Sequence, residues 1–136
     1  QGEVIFISIY TLLLSETNLI FEVKMVYADR KFIYSRVSFD VPEEVFKNLD
    51  NKGLVELIGQ VSPESIEYRG FDLSDAVSAC SEAESYALRE MKEDFKCRAL
   101  KETHADFVVG ELQEDAGLVV GMFTWTGQAY RNKPLI

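Results

Sequence analysis

The fold is decided by residues 74–103, which read SDAVSACSEAESYALREMKEDFKCRALKET. Apolar side chains recur here at spacings of three and four, which predicts a helix with one face packed on a core. Ser74 is the predicted start of this helix, and Ser81 with Glu84 forms a second candidate capping box. The predicted core stripe consists of Cys80, Ala83, Ala87, Leu88, Met91, Phe95 and Ala99.

Three strands are predicted before this helix. Residues 4–14 form an apolar run that is too short to span a membrane as a helix. No basic region precedes the run and no small-residue cleavage pattern follows it, so a buried strand is favoured over a secretory signal. Residues 19–28 and 31–41 alternate between apolar and polar side chains, and the connections are short. The three strands are therefore expected to form an antiparallel meander.

The segment between the meander and the long helix is less regular. Asp40 with Glu43 is a plausible capping pair for a short helix that ends near Gly53. Residues 54–58 are apolar and fit either a second short helix or a buried loop. Residues 66–73 are predicted as an edge strand, since a glycine and several charges weaken the pattern.

Two further strands are predicted after the long helix. Residues 107–112 and 118–125 flank a loop in which Gly117 is expected to take a left-handed conformation. Residues 127–136 show no periodicity and are predicted as an irregular C-terminal tail. Gln1 and Gly2 are interpreted as the remnant of an expression linker and are left out of the fold prediction.

The order of these elements predicts the fold class. It is β-β-β-α-(β)-α-β-β, in which helices and strands are segregated, so an α+β fold is expected rather than a doubly wound parallel sheet. We expect one antiparallel sheet of about five strands, an estimate from element order, with helices packed on one face. The length of 136 residues predicts a single domain over residues 1–136.

The charge of the chain is unevenly distributed. The net charge of −9 lies entirely between Asp40 and Asp94, while the flanking segments are neutral. This predicts one acidic surface, which would attract a basic partner and repel nucleic acid and anionic membranes. Aromatic and basic residues interleave before Asp40, but a neutral segment beside an acidic one does not favour nucleic-acid binding.

The residues that most often carry chemistry are few. Cys80 and Cys97 would lie roughly 25 Å apart on one continuous helix, which excludes a disulfide between them and favours reduced thiols in a cytoplasmic protein. His104 lies at the predicted end of the helix, where a capping role is favoured over catalysis. The sequence has no catalytic, metal or phosphate motif, so it predicts no cofactor and favours a protein that is not an enzyme.

Two functions remain open from the sequence. The first is a non-catalytic acidic binding protein that neutralises a basic protein such as a toxin or nuclease, as an immunity protein, antitoxin or similar inhibitor would. Acidic residues at the helix junctions and two C-terminal aromatics are the predicted partner-binding residues. They are Asp72, Asp75, Glu82, Glu84, Trp125 and Tyr130.

The second function is a small-ligand or enzymatic pocket in a curved sheet, lined by Tyr10, Tyr27, Tyr34 and Arg36. This hypothesis requires Glu22, Tyr34 and Arg36 to face inward around a void. In either case the open edges of a sheet would allow a homodimer.

Overall fold

A computed structural model describes residues 30–37 and 39–134 with their side chains, and residues 5–14 and 19–27 by their backbone. The chain divides into two compact units, Gln1–Arg30 and Lys31–Ile136. The interpretation of Gln1 and Gly2 as a linker remnant lies outside the described residues.

The first unit contains an antiparallel strand pair. Strand β1 (Ile5–Leu14) pairs with β2 (Leu19–Tyr27), and the register shifts between Thr11 and Leu13. The first two predicted strands are thus confirmed. They form a two-stranded sheet of their own, whereas the sequence predicted a three-stranded meander.

The second unit contains an open antiparallel sheet with helices packed against it. Its strands are β3 (Lys31–Ser35), β4 (Val55–Arg69), β5 (Phe107–Ala116) and β6 (Val120–Asn132), in the spatial order β3-β5-β6-β4. Its helices are α1 (Glu43–Asn51), α2 (Leu73–Tyr86), a π-helical turn (Ala87–Met91) and α3 (Lys92–Thr103). The α+β class and the element order are confirmed, and the four strands of this sheet are close to the predicted five.

The two helical elements lie on opposite faces of the sheet. The long helix, formed by α2, the π-helical turn and α3, covers the face that carries Phe32, Val108 and Trp125, and the Phe95 ring lies 6.1 Å from the Trp125 ring. Helix α1 packs on the other face, where Phe46 meets Phe107. Successive side chains of a strand point to opposite faces, and Phe107 and Val108 are consecutive in β5. The sequence predicted helices on one face only.

The long helix follows its predicted pattern. The stripe residues Ala83, Ala87, Leu88, Met91, Phe95 and Ala99 are all buried, and Cys80 is half-buried. The helix is capped by Asp72 and not by Ser74 or Ser81, because the Asp72 side chain accepts a hydrogen bond from the Asp75 backbone N–H at 2.8 Å. It therefore begins one residue earlier than predicted.

Two hydrogen bonds define the middle and the end of the long helix. At the π-helical turn, the indole Nε1–H of Trp125 donates to the Ala87 carbonyl oxygen at 2.7 Å. At the end, His104 takes a left-handed conformation (φ 54°) and its backbone N–H donates to the Leu100 carbonyl oxygen. This confirms the predicted position of His104 as the C-terminal cap.

Strand β4 replaces the two separate segments that the sequence predicted. Of these segments, residues 55–58 and 66–69 lie at the two ends of one 15-residue strand at the edge of the sheet, whereas residues 70–72 form the junction with α2. Its pairing with β6 shifts between Leu57 and Gly59 and again between Val61 and Glu64. Pro63 lies in the second irregularity, where its missing N–H breaks no ladder hydrogen bond.

The C-terminal part of the second unit corrects two predictions. Strand β6 continues to Asn132, so residues 127–132 are strand and not an irregular tail. Gly117 is not left-handed; among the described residues, the glycine with positive φ is Gly53. A Cβ at Gly117 would lie 2.5 Å from the Val120 carbonyl oxygen, so the turn needs a glycine for space.

Candidate functional site

Two connections meet at one end of the sheet. Strand β4 ends at Arg69, which pairs with Val120 at the start of β6. Beyond this pair, the Gly70 backbone N–H donates to the Val119 carbonyl oxygen at 2.7 Å. The junction between β4 and α2 therefore lies beside the turn between β5 and β6.

Large apolar side chains are exposed at this end. Phe71 is 99% exposed, Leu118 is 78% exposed and Val119 is 37% exposed. Phe71 belongs to the β4–α2 junction, and the other two belong to the β5–β6 turn. Single exposed apolar residues are ordinary, but exposed apolar residues on neighbouring segments make this end of the sheet a candidate interaction site.

Carboxylates accompany these apolar residues. Asp72 accepts the Asp75 backbone N–H, and Asp75 Oδ2 accepts the Phe71 backbone N–H at 2.9 Å. Both carboxylates are exposed at the start of a helix, where the macrodipole stabilises negative charge. Asp115, near the end of β5, is also exposed. The acidic tip is the set Phe71, Asp72, Asp75, Asp115, Leu118 and Val119.

The backbone of the acidic tip is closely packed behind Phe71. A Cβ at Gly70 would collide with the backbone of Ala76, so only glycine lets α2 begin this close to the end of β4. Together with the hydrogen bonds to Asp75 and Val119, this contact fixes the junction. Phe71 is thus presented to solvent from a constrained backbone.

The predicted partner-binding residues do not all come together. Asp72 and Asp75 lie in the acidic tip, and Glu82 is exposed farther along α2. Glu84 is 3% exposed, and Trp125 is fully buried and bonded to Ala87. The expectation that these two side chains are free to contact a partner was therefore wrong.

Tyr130 lies away from the acidic tip. Its ring packs against Phe46 at 4.9 Å between centroids, and its hydroxyl donates to Gln128 Oε1 at 3.2 Å. Burial raises the pKa of Tyr130, the charge of Asp50 raises it further, and Lys31 opposes the shift. Tyr130 belongs to the face covered by α1.

The sequence predicted that the acidic residues between Asp40 and Asp94 would form a single surface. In the structure they do not. Their carboxylates are divided between α1, β4 and the long helix, and α1 and the long helix lie on opposite faces of the sheet. Several of them are paired: Glu43 with Lys31 at 2.9 Å and Glu64 with Arg98 at 3.4 Å. Within the described part of the chain, Asp72, Asp75 and Asp115 form no ion pair, so their charge is available to a partner.

The predicted curved-sheet pocket is not assembled from the predicted residues. Tyr34 lies under the Lys96 ammonium, 4.6 Å from its ring centroid, and Arg36 pairs with Asp106. The side chains of Tyr10, Glu22 and Tyr27 lie outside the described residues. The Tyr34 and Arg36 side chains therefore do not face a common void.

A different cleft of about 340 Å³ opens on the face covered by α1. We call it the α1 cleft. One wall is helical and the other belongs to the sheet. The residues that define these walls are Glu43, Lys47 and Asp50 of α1, with Gln60, Gln128 and Tyr130 of the sheet.

In the part of the chain that the structure describes, no three potential metal-binding side chains converge. No described helix is long and apolar enough to cross a membrane. Comparison with known protein families, curated proteins and solved structures found no match for this chain.

The sequence carried a signal for the residues that it failed to identify. Phe71 stands alone between Gly70 and Asp72, at a point where a strand gives way to a helix cap, and Leu118 directly follows Gly117. A bulky apolar residue inside a turn has no core face to occupy. Assigning Phe71 to a weak strand concealed this signal.

Proposed function

We propose that this protein is a non-catalytic acidic binding protein that captures and neutralises a basic protein in the cytoplasm, as an immunity protein, antitoxin or similar inhibitor does. The observation that supports this proposal is the acidic tip. It combines a fully exposed phenylalanine with carboxylates that form no ion pair among the described residues.

The acidic tip has the two components of a high-affinity protein contact. Burying the Phe71 side chain in a partner's pocket would contribute roughly 1.5–3 kcal/mol. Asp72, Asp75 and Asp115 would steer a basic partner toward the tip and favour it over acidic competitors. The constrained backbone at Gly70 lowers the ordering cost of binding.

The test is capture of partners from lysate of the native host at low and moderate salt. Phe71→Ala removes the apolar anchor, and the double variant Asp72→Asn with Asp75→Asn removes charge while keeping oxygens that can cap α2. Glu44→Gln is the matched control, because Glu44 is exposed on α1 and outside the acidic tip.

A basic protein should be retained by the unmodified chain and by the Glu44→Gln control. With that protein purified, Phe71→Ala should weaken binding by about tenfold or more, as loss of a hot-spot residue does. The charge variant should weaken it more at low salt than at moderate salt. Equal retention by all variants would show that the acidic tip is not the binding site.

A further inference from the structure

We propose that the α1 cleft binds a guanidinium group, independently of the acidic tip. The proposal rests on the shape of the cleft, on its charges and on the hydrogen-bonding groups of its walls.

The walls of the cleft come from elements whose positions are fixed by packing. Glu43, Lys47 and Asp50 recur at spacings of four and three, so they share one face of α1. Across from them, Gln60 of β4 pairs in register with Gln128 of β6. The Phe46 and Tyr130 rings, in edge contact, anchor α1 to the sheet beside the cleft.

The charges of the cleft leave one carboxylate without an opposite charge. Lys31 lies 2.9 Å from Glu43 and 3.9 Å from Glu111, and Lys47 lies 3.6 Å from Glu43. Both lysines are therefore neutralised within the cleft. In the described chain, Asp50 has no ion pair. Its charge is close enough to Tyr130 to help raise the pKa of that hydroxyl, after the larger effect of burial.

A guanidinium matches this combination better than an ammonium does. It is planar, carries five N–H donors, pairs with a carboxylate through two hydrogen bonds and stacks on aromatic rings. The Asp50 carboxylate would accept two of these bonds, and the Gln60 and Gln128 side-chain carbonyls would accept others. The cleft volume is near the lower limit of ligand pockets, which suits a group of this size.

A guanidinium reaches the cleft either as part of a small molecule or as an arginine side chain of a protein partner. The test is NMR titration of the isotope-labelled full chain with three probes: N-acetyl-arginine amide, N-acetyl-lysine amide and a short peptide with a central arginine. The signals to follow are the Gly127 backbone amide and the side-chain amides of Gln60 and Gln128.

We expect the arginine probes to shift these signals in a saturable way, and the lysine probe to bind several-fold more weakly. Asp50→Asn should reduce affinity for arginine about tenfold, the loss expected for one charge-assisted pair. Glu44→Gln, on the same helix outside the cleft, should leave affinity unchanged. Asp50 is exposed and unpaired, so Asp50→Asn should also keep the melting temperature of the parent chain.

The three probes separate the two sources. Equal affinity for arginine amide and peptide would indicate a small guanidinium ligand, and peptide binding at least tenfold tighter would indicate an arginine side chain. Absence of shifts at the three signals, equal binding of lysine, or undiminished binding by Asp50→Asn would overturn the proposal. Phe71→Ala should leave this titration unchanged, so the result does not depend on the acidic tip.

Discussion

The side chain of Lys96 is buried, which is rare for a lysine. Its side chain is 5% exposed, and its ammonium lies 2.7 Å from Asp40 Oδ1 and 3.5 Å from Glu93 Oε2. The ammonium also lies over the ring of Tyr34. Burial lowers the pKa of Lys96, but the hydrogen bond and charge of Asp40, with help from Glu93, outweigh it, and the net pKa is raised above 10.5.

This raised pKa makes the ion pair a pH-dependent source of stability. Because the folded state holds the proton more tightly than the unfolded state, the stabilisation is fully present below the unfolded lysine pKa of about 10.4. It is lost as the pH rises through the higher folded pKa. At neutral pH the charged form of Lys96 therefore stabilises the fold.

We predict that Asp40→Asn lowers the free energy of unfolding by about 1 kcal/mol at pH 7, because it removes a charged acceptor from a buried ammonium. The loss should shrink in alkaline solution above the raised pKa of Lys96, where the ammonium loses its proton. Urea denaturation followed by circular dichroism at the two pH values measures both quantities. Glu93→Gln, at the longer distance, should cost less than about 0.5 kcal/mol. An Asp40→Asn effect of equal size at both pH values would contradict this account.

At the scale of elements, glycines let aromatic rings lie close to the sheet backbone. Gly110 of β5 pairs with Gly127 of β6 on the face under the long helix. The Phe32 ring occupies the space beside Gly110, and the Phe95 ring lies about 3 Å from where a Cβ of Gly127 would stand. The sheet and the long helix therefore pack against each other through aromatic rings that lie over glycines, where any other residue would place a side chain.

We predict that Gly110→Ala lowers the free energy of unfolding by about 1–3 kcal/mol, because the added methyl group would overlap the buried Phe32 ring. Gly59→Ala is the matched control, since no atom lies within 4 Å of its added Cβ and its φ is not positive. It should change stability by less than about 0.5 kcal/mol. Thermal and urea denaturation of both variants checks the contrast, and equal losses would show that ring contact is not the cause.

Helices and strands whose apolar residues recur at a regular spacing were predictable from the sequence. Those interrupted by glycine or proline were not. The long helix carries its apolar stripe without a break, so its existence and core face followed from spacing alone. Strand β4 contains Gly59 and Pro63, which interrupt the alternation of apolar and polar residues. The sequence pattern therefore indicated two separate fragments instead of one strand. The end of β6 was missed because Gly127 and Ala129 are small residues that fit under the long helix instead of marking an apolar strand.

The sequence predicted the negative charge of the acidic tip, but not which segments of the chain come together there. Asp72 and Asp75 were predicted because acidic residues cluster at the helix start. Glu84 lies four residues after Cys80 and three before Ala87, so the stripe itself indicated its burial. The position of the β4–α2 junction beside the β5–β6 turn depends on the pairing of β4 with β6, which no local pattern encodes.

At the scale of the whole chain, the described core residues and the candidate sites belong to the second compact unit. The four-stranded sheet, α1, the long helix, the acidic tip and the α1 cleft all lie within Lys31–Ile136. The expectation of a single domain over residues 1–136 stays a prediction, and it has a direct test.

We predict that a fragment of residues 31–136 folds by itself, because these residues form a compact unit whose sheet and helices bury a shared core. Circular dichroism should show its helix and strand content, and urea should unfold it in one cooperative transition. The full chain under the same conditions is the control. A fragment without a cooperative transition would show that residues 1–30 are required, which would favour one domain.

The hydrogen bond between Trp125 and Ala87 gives the protein a built-in optical reporter. The chain has a single tryptophan, and its indole is fully buried beside the π-helical turn. All indole fluorescence therefore arises at one place, where the sheet meets the long helix. Its emission should shift to longer wavelength when water reaches this contact, and stay constant when a ligand occupies the acidic tip or the α1 cleft. Each variant described above carries its own label-free measure of whether its core is intact.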